Sequence, residues 1–115
     1  MQKDGWLITA TITDTPPGCK GNNIAIFDAD KLSLPLTVRY KRDGDKLSPK
    51  GMNGTKKVSD IFTDLKIDKN IRQTVPIVEK NGDILFLAGL RQTALFNTDE
   101  NTKRYLTVKY TKDNF

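Results

Sequence analysis

Residues 38–57, VRYKRDGDKLSPKGMNGTKK, hold the entire net charge of this 115-residue chain. The stretch has seven basic and two acidic residues, and the complete chain has 19 basic and 14 acidic residues, so the remainder is neutral overall. A cationic cluster of this density is typical of a surface that binds a polyanion. The alternative is a solvated loop whose lysines only maintain solubility. We call residues 38–57 the basic stretch.

Period-two alternation predicts a strand over residues 35–41, which leads into the basic stretch. Arg39 and Lys41 share one face, which we expect to be exposed, and Arg42 follows just beyond them. The opposite face is apolar and comprises Leu36, Val38 and Tyr40. A turn is predicted at residues 42–45, where one of the two aspartates is expected to cap the turn or to hold an arginine in position.

A helix is predicted at the end of the basic stretch, after the Pro- and Gly-containing residues 48–54. Thr55 is the predicted N-cap. Apolar residues then recur at helical spacing and are expected to face the core: Val58, Ile61, Phe62 and Leu65. Lys56 and Lys57 would occupy the first turn, where the helix dipole disfavours cations but free N–H groups suit an anion. This arrangement favours phosphate binding, unless the long side chains simply extend into water.

The rest of the chain is predicted to be mainly strands. We expect them at residues 5–12, 23–27, 76–80, 83–88 and 103–109, with a loop at 13–23 and a short helix that Asp68 caps and that ends before Pro76. Asn81-Gly82 predicts a hairpin turn, and the apolar residues 84–87 predict a central strand. The element order indicates an α+β fold: a two-layer, β-sandwich-like sheet with two short helices on one side. The length fits a single domain over residues 1–115.

Composition argues against an enzyme in this chain. Histidine is absent and Cys19 is the only cysteine, so a nucleophile–base pair, a thiolate metal site and an internal disulfide are all missing. No glycine-rich phosphate-binding motif occurs, and no apolar run is long enough for a membrane span or a signal peptide. A reducing, cytoplasmic location fits this cysteine usage.

Several short motifs carry a resemblance to a known family. Residues 39–45, RYKRDGD, resemble the pattern R-x-R-x-x-G-D, and residues 54–62, GTKKVSDIF, resemble G-[ST]-K-K-[LV]-[SK]-D-x-F. The remaining motifs occur in the expected order and are DADKL at 28–32, KI at 66–67, VPIV at 75–78, GDIL at 82–85 and GLR at 89–91. Together they resemble the C-terminal domain of tRNA(Ile)-lysidine synthetases. Lys41 stands where that family more often has arginine, which removes a two-pronged contact.

The resemblance implies a fold shared with a domain of the phenylalanyl-tRNA synthetase β subunit. It also implies a parent enzyme that uses ATP and Mg, in a separate N-terminal catalytic domain, to attach lysine to the wobble cytidine of an isoleucine tRNA. The adenylating motif S-G-G-x-D-S of that catalytic domain does not occur here. We therefore expect a non-catalytic C-terminal module without a cofactor of its own, beginning at an artificial Met1.

By this resemblance, the partners are isoleucine tRNA, contacted around its acceptor stem, and the parent's catalytic domain. The oligomeric state stays open, a dimeric parent included. The residues predicted to bind tRNA are Arg39, Lys41, Arg42, Lys56, Lys57, Arg72 and Arg91. The alternative is a structural module that docks on the catalytic domain without touching RNA.

Overall fold

The computed structural model describes residues 2, 3 and 5–112. The chain divides into two compact units, which we call the terminal unit (Met1–Leu34 with Phe96–Phe115) and the central unit (Pro35–Leu95). The predicted domain limits at Met1 and Phe115 lie outside the described residues, and the single domain over residues 1–115 stays a prediction.

The described residues form ten strands and two short helices. In chain order they are β1 (Gln2–Lys3), β2 (Trp6–Thr13), β3 (Ile24–Asp28), β4 (Thr37–Arg39), β5 (Lys46–Leu47), β6 (Lys56–Lys57), α1 (Val58–Asp64), α2 (Lys69–Arg72), β7 (Ile77–Lys80), β8 (Asp83–Leu87), β9 (Arg91–Gln92) and β10 (Tyr105–Lys112). All strand pairs within the sheets are antiparallel. Antiparallel sheets with two short helices confirm the predicted α+β class. In this part of the chain, no helix has the length and apolarity needed to span a bilayer.

The terminal unit is built on a four-stranded sheet with the order β1-β2-β10-β3. Leu106 and Val108 of β10 are completely buried, as their alternation predicts. Trp6 and Ile8 of β2 are also buried, but Ile12, which strand alternation places on the same face, is 38% exposed. Only the first half of β2 is therefore covered.

Asp28, the last residue of β3, holds the turn that follows this strand. One of its carboxylate oxygens accepts a hydrogen bond from the Asp30 N–H at 2.9 Å. The other accepts one from the Thr102 hydroxyl at 3.0 Å. Both Asp28 and Thr102 are buried, and these bonds offset the cost of removing the carboxylate from water.

The central unit is built on a second four-stranded sheet, with the order β4-β7-β8-β9. Asn81 and Gly82 join β7 to β8 with φ values of 52° and 88°, as a type I′ hairpin turn requires. β8 lies between two neighbours, and residues 84–88 are all buried, which confirms the predicted central strand. β4 is an edge strand and is shorter than the predicted strand over residues 35–41.

Helix α1 contributes the predicted apolar stripe to the core of the central unit. Val58, Ile61 and Phe62 are buried in one cluster with side chains of β5, β7 and β8, and Leu65 packs against its edge. Helix α2 begins at the predicted cap, because the Asp68 carboxylate accepts a hydrogen bond from the Asn70 N–H at 3.0 Å. It ends at Arg72, before Pro76, as expected.

The predicted start of α1 is wrong. Lys57, not Thr55, occupies the N-cap position, and its side chain makes no capping hydrogen bond. Lys56 and Lys57 instead form β6, which pairs with β5 as a two-stranded ribbon. The Val58 N–H donates to the Asp45 carbonyl at 2.9 Å, so a backbone contact from a distant turn fixes the residues ahead of the helix.

Candidate nucleic-acid interface

All seven predicted tRNA-binding residues lie in the central unit, but the structure gives them different environments. Arg39 is almost enclosed, with a side chain that is only 11% exposed. Its two terminal nitrogens donate to the two carboxylate oxygens of Asp45 at 2.9 Å each. One of them also donates to the Tyr40 carbonyl at 2.9 Å. The expectation that Arg39 points outward is therefore wrong.

Glu79 of β7 is the second acidic partner of Arg39. The Arg39 Nε lies 3.0 Å from a Glu79 carboxylate oxygen, although its N–H is not aligned for a hydrogen bond. In the strand register Arg39 faces Ile77 and Thr37 faces Glu79, so Arg39 and Glu79 are diagonal neighbours. Diagonal neighbours on one sheet face are within reach of long side chains. The predicted alternation of side chains along β4 is correct. The face that holds Arg39 is not open to water, however, because the carboxylates of Asp45 and Glu79 contact its guanidinium group.

Asp45 performs both tasks expected of an aspartate in this turn. Besides holding Arg39, its carboxylate accepts a hydrogen bond from the Arg42 N–H at 2.8 Å. Its own N–H donates to the Arg42 carbonyl at 3.3 Å, and Gly44 has a φ of 86°. Burial acts to raise the pKa of Asp45, but the hydrogen bonds from Arg39 and the Arg42 N–H outweigh it and lower the pKa. The hydrogen bond to Asp45 is the main cause of the raised pKa of Arg39.

The turn presents the next two cations of the basic stretch. Lys41 is half-buried, and its charge contributes to the lowered pKa of Asp45. Arg42 is exposed, and within the described residues its side chain has neither a hydrogen bond nor an ion pair. Arg39 and Asp45 thus act as the internal support of a turn that exposes Arg42.

The β5–β6 ribbon separates the two lysines that were expected to act together. Lys46 lies opposite Lys57, and Leu47 lies opposite Lys56. Because side chains alternate along a strand, Lys46 and Lys57 share the exposed face, whereas Lys56 shares the other face with the buried Leu47. The predicted lysine pair in the first helical turn is therefore wrong. The ribbon instead pairs Lys57 with Lys46, which the predicted set of binding residues did not include.

Lys56 turns towards helix α1 and forms an ion pair with Asp64. It also lines a groove of about 170 Å³, together with Asp64, Arg91, Pro49, Met52, Ile61 and Leu65. Arg91 is half-buried, and its guanidinium donates to the Leu90 carbonyl at 3.0 Å. Two of the predicted binding residues, Lys56 and Arg91, thus line the same mostly apolar groove.

Arg72 has a local structural role. Its Nε donates to the Ile67 carbonyl at 2.9 Å, and its guanidinium carbon lies 5.9 Å from the ring centroid of Phe62. These contacts join α2 to the end of α1. Cation–ring contacts at this distance are weakly stabilising.

Within the basic stretch, the exposed cations without a partner are a different set from the predicted one. Over residues 5–112, no hydrogen bond or ion pair engages the side chains of Arg42, Lys46, Lys50 and Lys57. Lys46 and Lys50 belong to the basic stretch, so the charge count contained the signal for them. The pairing of Lys46 with Lys57 depended on two-residue strands that no periodic pattern reveals. The same residues contain no group of three or more acidic, cysteine or histidine side chains that could hold a metal ion.

Known proteins share both the sequence pattern and the fold. Residues 36–108 match the family model described as TilS substrate C-terminal domain. The tRNA(Ile)-lysidine synthase of Caldanaerobacter subterraneus subsp. tengcongensis is 39% identical over 94 residues, which cover 82% of this chain and 20% of that protein. The chain spans about a fifth of the length of the curated relatives it matches.

Two solved structures agree with this match. A crystal structure of a TilS C-terminal domain superposes with a TM-score of 0.85 at 35% identity, covering 96% of this chain and 87% of that one. An N-terminal fragment of the phenylalanyl-tRNA synthetase β-subunit from Pyrococcus horikoshii superposes with a TM-score of 0.62 at 18% identity, covering 76% and 27%. These structures confirm the expected fold, and the chain belongs to the family of TilS substrate C-terminal domains.

Proposed function

We propose that this chain is the tRNA-recognition module of an enzyme that attaches lysine to the wobble cytidine of an isoleucine tRNA. The chain itself carries no catalytic step in this proposal. ATP and Mg belong to a catalytic domain elsewhere in the parent protein. Family membership supports this role, since the matching relative is a tRNA(Ile)-lysidine synthase.

The observation that carries the proposal is the lysine pair of the ribbon. Lys46 and Lys57 face each other across two strands, and both are exposed. Like charges directly opposite in an antiparallel pair are destabilising. No described side chain forms an ion pair with either lysine. A phosphate bound between them would relieve this repulsion, which gives the arrangement a use in binding RNA.

The proposed roles follow from the environments of the residues. Lys46, Lys57 and Arg42 contact phosphates, with Lys41 and Lys50 beside them. Arg39 acts indirectly, because its contact with Asp45 holds the turn that presents Arg42. Phosphate contacts of this kind fix the position of the RNA and carry little sequence information. A-form RNA is recognised largely through its shape, its phosphates and its 2′-hydroxyl groups.

Salt dependence of binding tests this proposal. We expect the chain to bind isoleucine tRNA with an affinity that falls steeply with salt, as roughly four to six phosphate contacts predict. Binding is measured by fluorescence anisotropy at two salt concentrations. Undetectable binding at low salt, or an affinity that does not change with salt, would contradict the proposal.

A charge-reversal pair locates the contact surface. Lys46→Glu with Lys57→Glu should weaken tRNA binding by at least about tenfold, because two attractive contacts become repulsive. The matched control is Lys20→Glu with Lys109→Glu, which changes two exposed lysines of the terminal unit by the same charge. Equal losses in both variants would indicate a general charge effect and would contradict the assigned surface.

The second candidate is a module that docks on its own catalytic domain. Exposed apolar side chains favour it, since Met52 is 52% exposed and Ile71 is 51% exposed. Docking alone predicts that the Lys46→Glu and Lys57→Glu exchanges leave tRNA affinity unchanged. Under the RNA-binding proposal, the same exchanges weaken binding while the fold stays intact, so one experiment separates the two functions.

A further inference from the structure

The groove beside helix α1 combines two kinds of surface. Pro49, Met52, Ile61 and Leu65 give it apolar walls, and Lys56, Asp64 and Arg91 place charges around it. Its volume is about 170 Å³. A phosphate would gain nothing from the apolar walls and would be repelled by the Asp64 carboxylate. An aliphatic side chain of a docking protein would fit the apolar walls but would make no polar contact with the three charged groups.

The charged groups of the groove are available to a ligand. The Lys56–Asp64 ion pair is solvent-accessible, with side-chain exposures of 32% and 57%, so little stability is lost when it rearranges. Arg91 is held by its bond to the Leu90 carbonyl, which orients the guanidinium and leaves its other N–H groups available. The groove therefore combines apolar walls with a fixed cation (Arg91), a movable cation (Lys56) and a carboxylate acceptor (Asp64).

We propose that this groove binds one unpaired nucleobase of the RNA that the lysine ribbon holds; the inference rests on the proposed function. A nucleobase has flat faces that pack against apolar side chains and guanidinium groups, and a polar edge that forms hydrogen bonds. The Met52 thioether and Leu65 contact a face of the base. Asp64 accepts hydrogen bonds from the amino or imino N–H groups of its edge, and Lys56 turns to the neighbouring phosphate.

The position of the groove fits a single strand that also contacts the ribbon. Lys56 and Lys57 are consecutive, and strand alternation directs Lys57 to the exposed lysine face and Lys56 to the groove. The two surfaces therefore lie on opposite faces of β6, and in this proposal neighbouring nucleotides of one RNA strand reach both of them around the strand. The ribbon supplies affinity that is independent of sequence, whereas the groove responds to the presence and identity of one base.

The test compares an RNA strand that carries bases with a strand that lacks them. The 115-residue chain, labelled with ¹³C at the methionine methyl groups, is titrated with a single-stranded tetraribonucleotide and with an abasic analogue of the same length and charge. The Met52 methyl signal should shift with the base-bearing strand and stay in place with the abasic strand. Equal shifts with both strands, or no shift with either, would overturn the proposal.

A variant pair measures the contribution of the groove. Met52→Ser should weaken binding of the tetraribonucleotide by roughly fivefold, from the loss of apolar contact. The matched control is Ile71→Ser, because Ile71 is 51% exposed, close to the 52% of Met52, and does not line the groove. Equal affinities of the two variants would overturn the nucleobase site.

The two proposals fail in different ways. Loss of the salt-dependent tRNA affinity removes the proposed function itself. Retained tRNA affinity together with a silent Met52 signal removes only the nucleobase site, and leaves the groove as a candidate contact for the parent's catalytic domain.

Discussion

The basic stretch has two parts, the strand and turn at residues 38–45 and the segment with the ribbon at residues 46–57, and their cations do different things. In the first part, Arg39 is almost enclosed and contacts two carboxylates, Asp45 and Glu79. In the second part, Lys46 and Lys57 are exposed, face each other and have no acidic partner among the described residues. The comparison shows that local charge density does not distinguish a cation that stabilises the fold from one that is available to a ligand. The neighbours supplied by other strands make that distinction.

Arg39→Ala should produce the largest effect on stability. The exchange leaves Asp45 and Glu79 close together and poorly solvated, and breaking an enclosed ion pair on one side costs about 2–4 kcal/mol. Urea denaturation measures the free energy of unfolding. Lys46→Ala is the matched control and should change it by less than about 0.5 kcal/mol, because the Lys46 side chain has no partner to lose. Similar values for both variants would remove the distinction between the two parts of the stretch.

Gly44→Ala should have an intermediate effect. Gly44 has a φ of 86°, and a Cβ atom there would meet nothing within 4 Å, so the cost comes from the backbone alone. We expect a loss of about 1–2 kcal/mol in the thermal or urea unfolding free energy. Gly18→Ala is the control, since Gly18 also has open space around it but no positive φ. A neutral Gly44→Ala exchange would show that the turn does not depend on this backbone conformation.

Lys46→Glu should change the stability less than Arg39→Ala and Gly44→Ala do, and with the opposite sign. A glutamate opposite Lys57 replaces a repulsive pair with an attractive one, which should stabilise the chain by about 0.5 kcal/mol. The same exchange should weaken tRNA binding. A destabilised variant would contradict the expected repulsion between Lys46 and Lys57. A variant that binds tRNA as tightly as the original chain would contradict the role of Lys46 in binding.

Features with a local physical cause were predicted well. The helical stripe on α1, the Asp68 cap and the Asn81-Gly82 hairpin all depend on residues a few positions apart, and the structure confirms each one. The failures depend largely on residues farther apart in sequence. Thr55 was favoured as a cap by its side chain, but the Asp45 carbonyl fixed the start of α1. The exposure expected for Arg39 is wrong for a local and a distant reason: Asp45 lies only six positions along the chain, whereas Glu79, forty positions away, carries no signal in the local alternation.

The sequence by itself determined the α+β class and the concentration of all net charge in residues 38–57, because composition and short-range periodicity are properties of the chain alone. The family came from the resemblance of its short motifs to a known domain. Only the tertiary structure decided which of those cations are free. The accessibility of a side chain is set by the strands and turns that pack around it. For Arg39 the deciding groups are Asp45 in the following turn and Glu79 on another strand, and for Lys56 the deciding group is Asp64 at the end of α1.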